Sequence, residues 1–166
     1  MQNYLKITSL LLSLLIVVSC RDEKPPGNLI EKRNDLIYRQ KSDTPYTGIV
    51  KDTVNQKIME YHVKGGLKDG QFKISRLNGQ VEMVGNMVKD KNEGEWNYYY
   101  PNGQLESKGN FVNDTPSGMW TFYYETGIKK EEGEYKKGER EGKWIEYDST
   151  GHVVKYKKFI KGVEAK

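Results

Sequence analysis

The sequence has one cysteine among its 166 residues, Cys20, and only two histidines, His62 and His152. A single thiol excludes an internal disulfide and a thiolate metal cage. The histidines lie far apart, with no thiol or acidic cluster at ligand spacing around either, so both read as surface residues. No nucleophile elbow and no phosphate-cradling glycine loop occurs. Adjacent carboxylates such as Glu131-Glu132 and Asp22-Glu23 would point to opposite faces of a strand and could not act together as acid and base. The expectation is a protein that is not an enzyme, with no cofactor, no metal and no small-molecule substrate.

Apolar content is also low. At 36% hydrophobic and 30% charged residues, the chain is too lean for a thick two-layer core. An excess of one sign of charge is nearly absent as well: 27 basic and 23 acidic residues leave a formal net charge of +4, and removing residues 1–19, whose one charge is Lys6, leaves +3. Acidic and basic residues are interspersed, with no basic block, zinc knuckle or helix-turn-helix pattern, so no nucleic-acid partner is expected. Abundant instead are 17 glycines and 12 tyrosines, the composition of tight turns and strands whose aromatics tolerate water.

Residues 1–19 read as a signal peptide. The apolar run 7–18 is too short to span a bilayer, which takes roughly 20 residues. Val17-Val18-Ser19-Cys20 resembles the lipobox of bacterial lipoproteins, which implies cleavage before Cys20 and lipid attachment to it. Several acyl chains anchor stably, at about 0.8 kcal/mol per buried CH₂. The acidic pair in Arg21-Asp22-Glu23-Lys24 is similar to an export signal of Bacteroidetes lipoproteins, which implies a cell-envelope protein on the outer membrane of a Gram-negative bacterium. Residues 20–44 then read as the lipidated cysteine and a flexible tether, rich in charge and carrying Pro25-Pro26-Gly27. Within it, Leu29, Ile30, Leu36 and Ile37 could form a short helix or a strand against the first repeat; their spacing leaves both open.

The rest, 45–166, is organised by a fixed period of 24 residues. Gly70, Gly94, Gly118 and Gly142 form one column, and two positions on stand Phe72, Trp96, Trp120 and Trp144. Gly79, Gly103, Gly127 and Gly151 form another, each preceded by Asn or Thr. Gly85, Gly109 and Gly133 form a third, with Lys157 as its fourth member, and Met87, Phe111, Tyr135 and Phe159 a fourth. In EGEWNYYYPNGQLESKGNFVND and SGMWTFYYETGIKKEEGEYKKG this pattern resembles the MORN repeat in its bacterial variant form. Residues 67–89 and 139–162 are weaker copies, and Tyr46-Thr47-Gly48 through Val63 a degenerate first one. The chain is also similar to the YwqK-type proteins known as antitoxins.

Asn102-Gly103 between two runs of β-formers signals a two-residue hairpin. It pairs Tyr100 with Leu105, Tyr98 with Ser107, Trp96 with Gly109 and Gly94 with Phe111. The next repeat pairs Tyr124 with Lys129, Trp120 with Gly133 and Gly118 with Tyr135. Bulky residues meet glycine each time, so Gly70, Gly85, Gly94, Gly109, Gly118, Gly133 and Gly142 read as sockets for rings. The fold expected is an all-β, single-layer antiparallel meander of about nine to ten strands. Its last copy sets Trp144 against Lys157 and Glu146 against Lys155, a polar cap whose lysines deter edge pairing.

Function is then a matter of surface. Trp96, Tyr98, Tyr100, Trp120, Phe122, Tyr124 and Trp144 share one face, either as the core of a one-layer fold or as a concave binding strip. The leading expectation is a scaffold module held at the membrane by its lipid anchor and contacting an unidentified protein partner. An antitoxin or immunity role, implied by the YwqK resemblance, is a second. Phospholipid or glycan binding, the former implied by the MORN resemblance, is a third.

Overall fold

A computed structural model describes residues 29–165. The expected signal peptide, Cys20 and the first part of the expected tether lie outside the described residues. The chain folds into β1 (Ile30–Arg33), β2 (Leu36–Arg39), β3 (Gly48–Val54), β4 (Lys57–Lys64), β5 (Leu67–Arg76), β6 (Val81–Val88), β7 (Lys91–Tyr99), β8 (Leu105–Val112), β9 (Thr115–Tyr123), β10 (Lys129–Lys136), β11 (Glu139–Tyr147), β12 (Val153–Ile160) and β13 (Val163–Glu164). Strands β3 to β13 make one antiparallel sheet of eleven strands in sequence order, and β1–β2 is a separate hairpin. The expected single-layer meander is what forms. Its eleventh strand, one more than expected, arises because Lys161-Gly162 both take positive φ and turn the chain back into β13.

After the β3–β4 turn, whose Asn55-Gln56 pair also takes positive φ, the two sides of the sheet turn by different chemistry. On one side, Gly65-Gly66, Lys89-Asp90, Asn113-Asp114, Lys137-Gly138 and Lys161-Gly162 are two-residue turns with both residues at positive φ. This is the primed geometry that matches strand twist. On the other side, where Asn102-Gly103 was expected to be primed, only Gly103 has positive φ, at 87°. Its N–H donates to the Tyr100 carbonyl at 2.9 Å. Pro101 and Asn102 therefore occupy an ordinary type I turn, with Gly103 as the left-handed residue that closes a three-residue loop.

The longer loop corrects the register beside the turn. Leu105 pairs with Tyr99 rather than Tyr100, and Lys129 with Tyr123 rather than Tyr124. Further along, the expected pairs form: Trp96 with Gly109, Tyr98 with Ser107 and Gly94 with Phe111, then Trp120 with Gly133 and Gly118 with Tyr135. The bulge takes up the extra residue, so the shift never reaches the tryptophans.

Part of the tether expectation is also corrected. Asn34-Asp35 at positive φ folds residues 30–39 into the β1–β2 hairpin, which settles the open choice around Ile30 and Ile37 as strand. Ile37 joins Val50, Tyr61 and Val63 in a buried cluster, with Ile30, Tyr46, Met59 and Phe72 packed against it. Three backbone bonds of 2.8 Å fasten it: Ile37 N–H to Gly66 O, Tyr46 N–H to Ile37 O and Gly66 N–H to Tyr46 O. The hairpin thus covers the β3–β5 end of the tryptophan-bearing face and leaves the remainder bare.

Candidate interaction surface

Each indole of the face is seated on a glycine, though not on the one its own hairpin supplies. Trp96 lies over Gly85, Trp120 over Gly109 and Trp144 over Gly133, so closely that a Cβ on any of these glycines would overlap the ring. Every indole therefore clamps the strand before it and joins one hairpin to the next. Irregular pairing makes room: the ladder shifts between Val84 and Asn86, between Lys108 and Asn110, and between Glu132 and Glu134. In each gap a carbonyl receives the indole N–H, from Trp96 to Asn86 at 3.1 Å, Trp120 to Asn110 at 3.3 Å and Trp144 to Glu134 at 3.2 Å.

Three of the expected sockets have another role. Gly94, Gly118 and Gly142 hold φ of 73°, 71° and 69°, and a Cβ on any of them would meet open space. They are the left-handed residues that let the strand bulge and swing the following tryptophan backward. Gly70, at φ 114°, lies instead against the His62 ring.

Seven rings run in sequence along the face. Phe72 to Trp96 is 5.8 Å between centroids, Trp96 to Tyr98 6.5 Å, Tyr98 to Trp120 6.4 Å, Trp120 to Phe122 6.0 Å and Phe122 to Trp144 6.3 Å, with Tyr61 continuing from Phe72. Phe111, Tyr135 and Phe159 meet the indoles edge-on. Such contacts add about 0.5–1.5 kcal/mol per pair beyond burial.

The expected strip accordingly divides. Trp96, Trp120 and Trp144 are 2%, 7% and 0% exposed and make up the core. Tyr98 and Phe122 remain half-buried at the surface, and desolvation raises the Tyr98 pKa. Tyr100 and Tyr124 stand apart from the ladder, because the loop geometry displaces them from their expected pairs. Their hydroxyls donate across repeats to the Tyr123 and Tyr147 carbonyls, each at 2.8 Å.

The two ends of the face differ in polarity. Toward β12, Arg140 stacks 4.0 Å from the Trp144 ring centroid and bonds both oxygens of Glu131 at 2.8 and 2.9 Å. The expected cap is present, with Lys157 on Glu146 at 2.5 Å. Toward β5 the floor is apolar. A hollow of about 260 Å³ opens beside the docked hairpin, over Phe72, Ile74, Met83, Met87, Trp96 and Tyr98, with Lys68 and Asn92 also lining it. A second hollow shares Ile74, Met83 and Tyr98 and extends toward Arg76 and Glu82. Sequence reasoning missed Ile74, Met83 and Lys68 as part of this surface, because none carries the aromatic signature that drew attention to the face.

Among the described residues no three His, Cys, Asp or Glu side chains converge as a metal site. His152 closes a turn with Thr150 and Asp148. Among the same residues no helix is long and apolar enough to cross a membrane.

The strand–turn–strand units with a tryptophan clamp are the decisive feature. Residues 92–113 and 116–137 each match the MORN repeat variant. These two MORN matches span most of β7–β8 and β9–β10, where clamp, socket and bulge are all present. No curated protein matches the chain. MORN repeats are in general modules for contact with proteins or membranes rather than enzymes.

Proposed function

We propose that this chain is a non-catalytic adaptor of the bacterial cell envelope, tethered by a lipid on Cys20, that contacts a protein partner through the uncovered part of its aromatic face. The observation that carries the reading is the half-buried pair Tyr98 and Phe122, which lies beyond the segment the β1–β2 hairpin covers. Apolar surface of this kind, bordered by charged groups, marks interaction sites. The lipobox-like Val17-Val18-Ser19-Cys20 supports the anchoring, and the MORN matches support the contact role.

The test uses the full chain in detergent-solubilised envelope. Tyr98→Ser with Phe122→Ser leaves the three indole clamps in place, and a stoichiometric protein partner is expected to be lost from it. A partner retained by that folded variant would overturn the reading. If the partner proves to be a toxin, the module acts as an immunity protein, the role that the likeness to YwqK-type antitoxins suggests. For the anchor, labelled palmitate is expected on the wild-type chain and not on Cys20→Ala.

A further inference from the structure

We infer that the hollow between β5 and β7 is a docking site for an extended, alternately apolar peptide segment that ends in a carboxylate, and that Lys68 is the group which reads the carboxylate. The inference rests on the proposed contact role and names the partner's chemistry at the same face.

The mode of occupancy is already displayed once. Where the aromatic floor begins, the chain lays its own β1–β2 hairpin on it, seating Ile37 in the cluster with Val50, Tyr61 and Val63. Phe72 touches that docked cluster and also forms part of the adjoining hollow. The floor therefore continues without interruption from a covered stretch to an uncovered one, and what suits the first in shape suits the second. Met83 in the open stretch, with Met87 buried at its floor, is unbranched and adapts to varied apolar side chains. From Lys68 to Ile74 along β5 the floor runs for about 20 Å at ~3.3 Å per residue, the reach of a short extended segment.

Charge selects among such segments. Of the residues that line the hollow, Lys68 is the one with a formal charge. Its ammonium sits 5.5 and 5.8 Å from the ring centroids of Tyr61 and Phe72, and no ion pair holds it among the described residues. The neighbouring Asp90 carboxylate is engaged by the Lys68 backbone N–H at 2.8 Å, not by its ammonium. Lys57 and Arg76 are matched on Glu82, Arg140 on Glu131 and Lys157 on Glu146, and Lys130, set over the Tyr124 ring, lies away from this hollow. Lys68 is thus poised over an apolar floor with a carboxylate still to meet, and the Asn92 amide beside it can share the load.

The test is a titration of the full chain, in detergent, with a blocked peptide of alternating isoleucine and threonine ending in glutamate, against a twin ending in glutamine. Methionine methyl resonances report the position. The Met83 signal is expected to shift, while that of Met119, on the opposite face and 57% exposed, stays in place. The glutamate peptide should bind about tenfold tighter than its twin, the increment of a charge-assisted contact. Lys68→Gln should erase the difference and leave the apolar part of the binding. Equal affinity of the two peptides, or a Met119 shift in place of a Met83 shift, would overturn the inference. So would laurate shifting Met83 where neither peptide does, since the site would then be for lipid. Should the peptides fail while an envelope partner still depends on Tyr98 and Phe122, the contact role survives and only the chemistry assigned to the partner falls.

Discussion

The indole of Trp120 rests on Gly109 of the preceding hairpin, in space a methyl group would need. Gly118, two residues before that tryptophan, has empty space about its Cβ position but a φ of 71°. One glycine is required by its neighbour's ring and the other by its own backbone. Gly109→Ala should therefore cost about 3 kcal/mol by overpacking, and Gly118→Ala about 1–2 kcal/mol by left-handed strain. Urea unfolding of both variants, each alone and combined with Trp120→Ala, separates the causes. The cost of Gly109→Ala should vanish once the indole is gone, whereas that of Gly118→Ala should persist.

Because the tryptophans are clamps, they are poor probes of binding. Trp120→Ala removes a buried ring and its N–H bond to Asn110, and a loss of about 3–5 kcal/mol is expected. Tyr98→Ser, at a half-buried position, should cost clearly less. Comparing the urea midpoints of the two variants checks this, and similar midpoints would show that Tyr98 too belongs to the core.

How far the sequence already contained this picture depends on what fixes each feature. The 24-residue period and the strand alternation gave the meander and the central pairs such as Trp96 with Gly109. They did so because one slipped residue would turn every ring to the other face. The partner of each ring was not legible in the same way. Trp120 pairs in register with Gly133 yet covers Gly109, and only the bulge at Gly118 decides between them. The Asn102-Gly103 signal was correct as a turn and wrong in type. The same loop recurs at Gly79, Gly127 and Gly151 without a proline, each with a single left-handed glycine, and the negative φ of Pro101 is compatible with it rather than its cause. On the surface, aromatic spacing pointed to Tyr98 and Phe122 but was silent on Met83 and Lys68, which vary from repeat to repeat and so form no column.

The ionic cap makes stability depend on pH in a definable direction. Lys157 bonding holds the Glu146 carboxyl below its ordinary pKa, and Lys129 followed by Tyr147 does the same for Glu132. A folded-state pKa depressed in this way adds stability above the unfolded value, near 4.3, and that stability is lost as pH falls below it. At these partly exposed positions each pair is worth at most about 1 kcal/mol. The double variant Glu132→Gln with Glu146→Gln should therefore melt below the wild type at pH 7, and the gap should close between pH 4.5 and 3. A gap that stayed constant through acid would show that the carboxylates act through packing instead.

The β1–β2 hairpin should be separable from the repeats. Its attachment depends on Ile37 in a cluster that reaches no further than Phe72, and contacts along a meander are made only with neighbours. Ile37→Asp places a charge in that cluster and should release the hairpin, because an unpaired carboxylate there costs several kcal/mol. Hydrogen exchange reads the result. The amides of Ile37, Tyr46 and Gly66, whose partners lie across the junction, should lose protection by orders of magnitude, while the Trp120 and Trp144 strands keep theirs. Loss of protection throughout the sheet would instead mean that the hairpin nucleates the whole fold, and that stability does not accrue repeat by repeat.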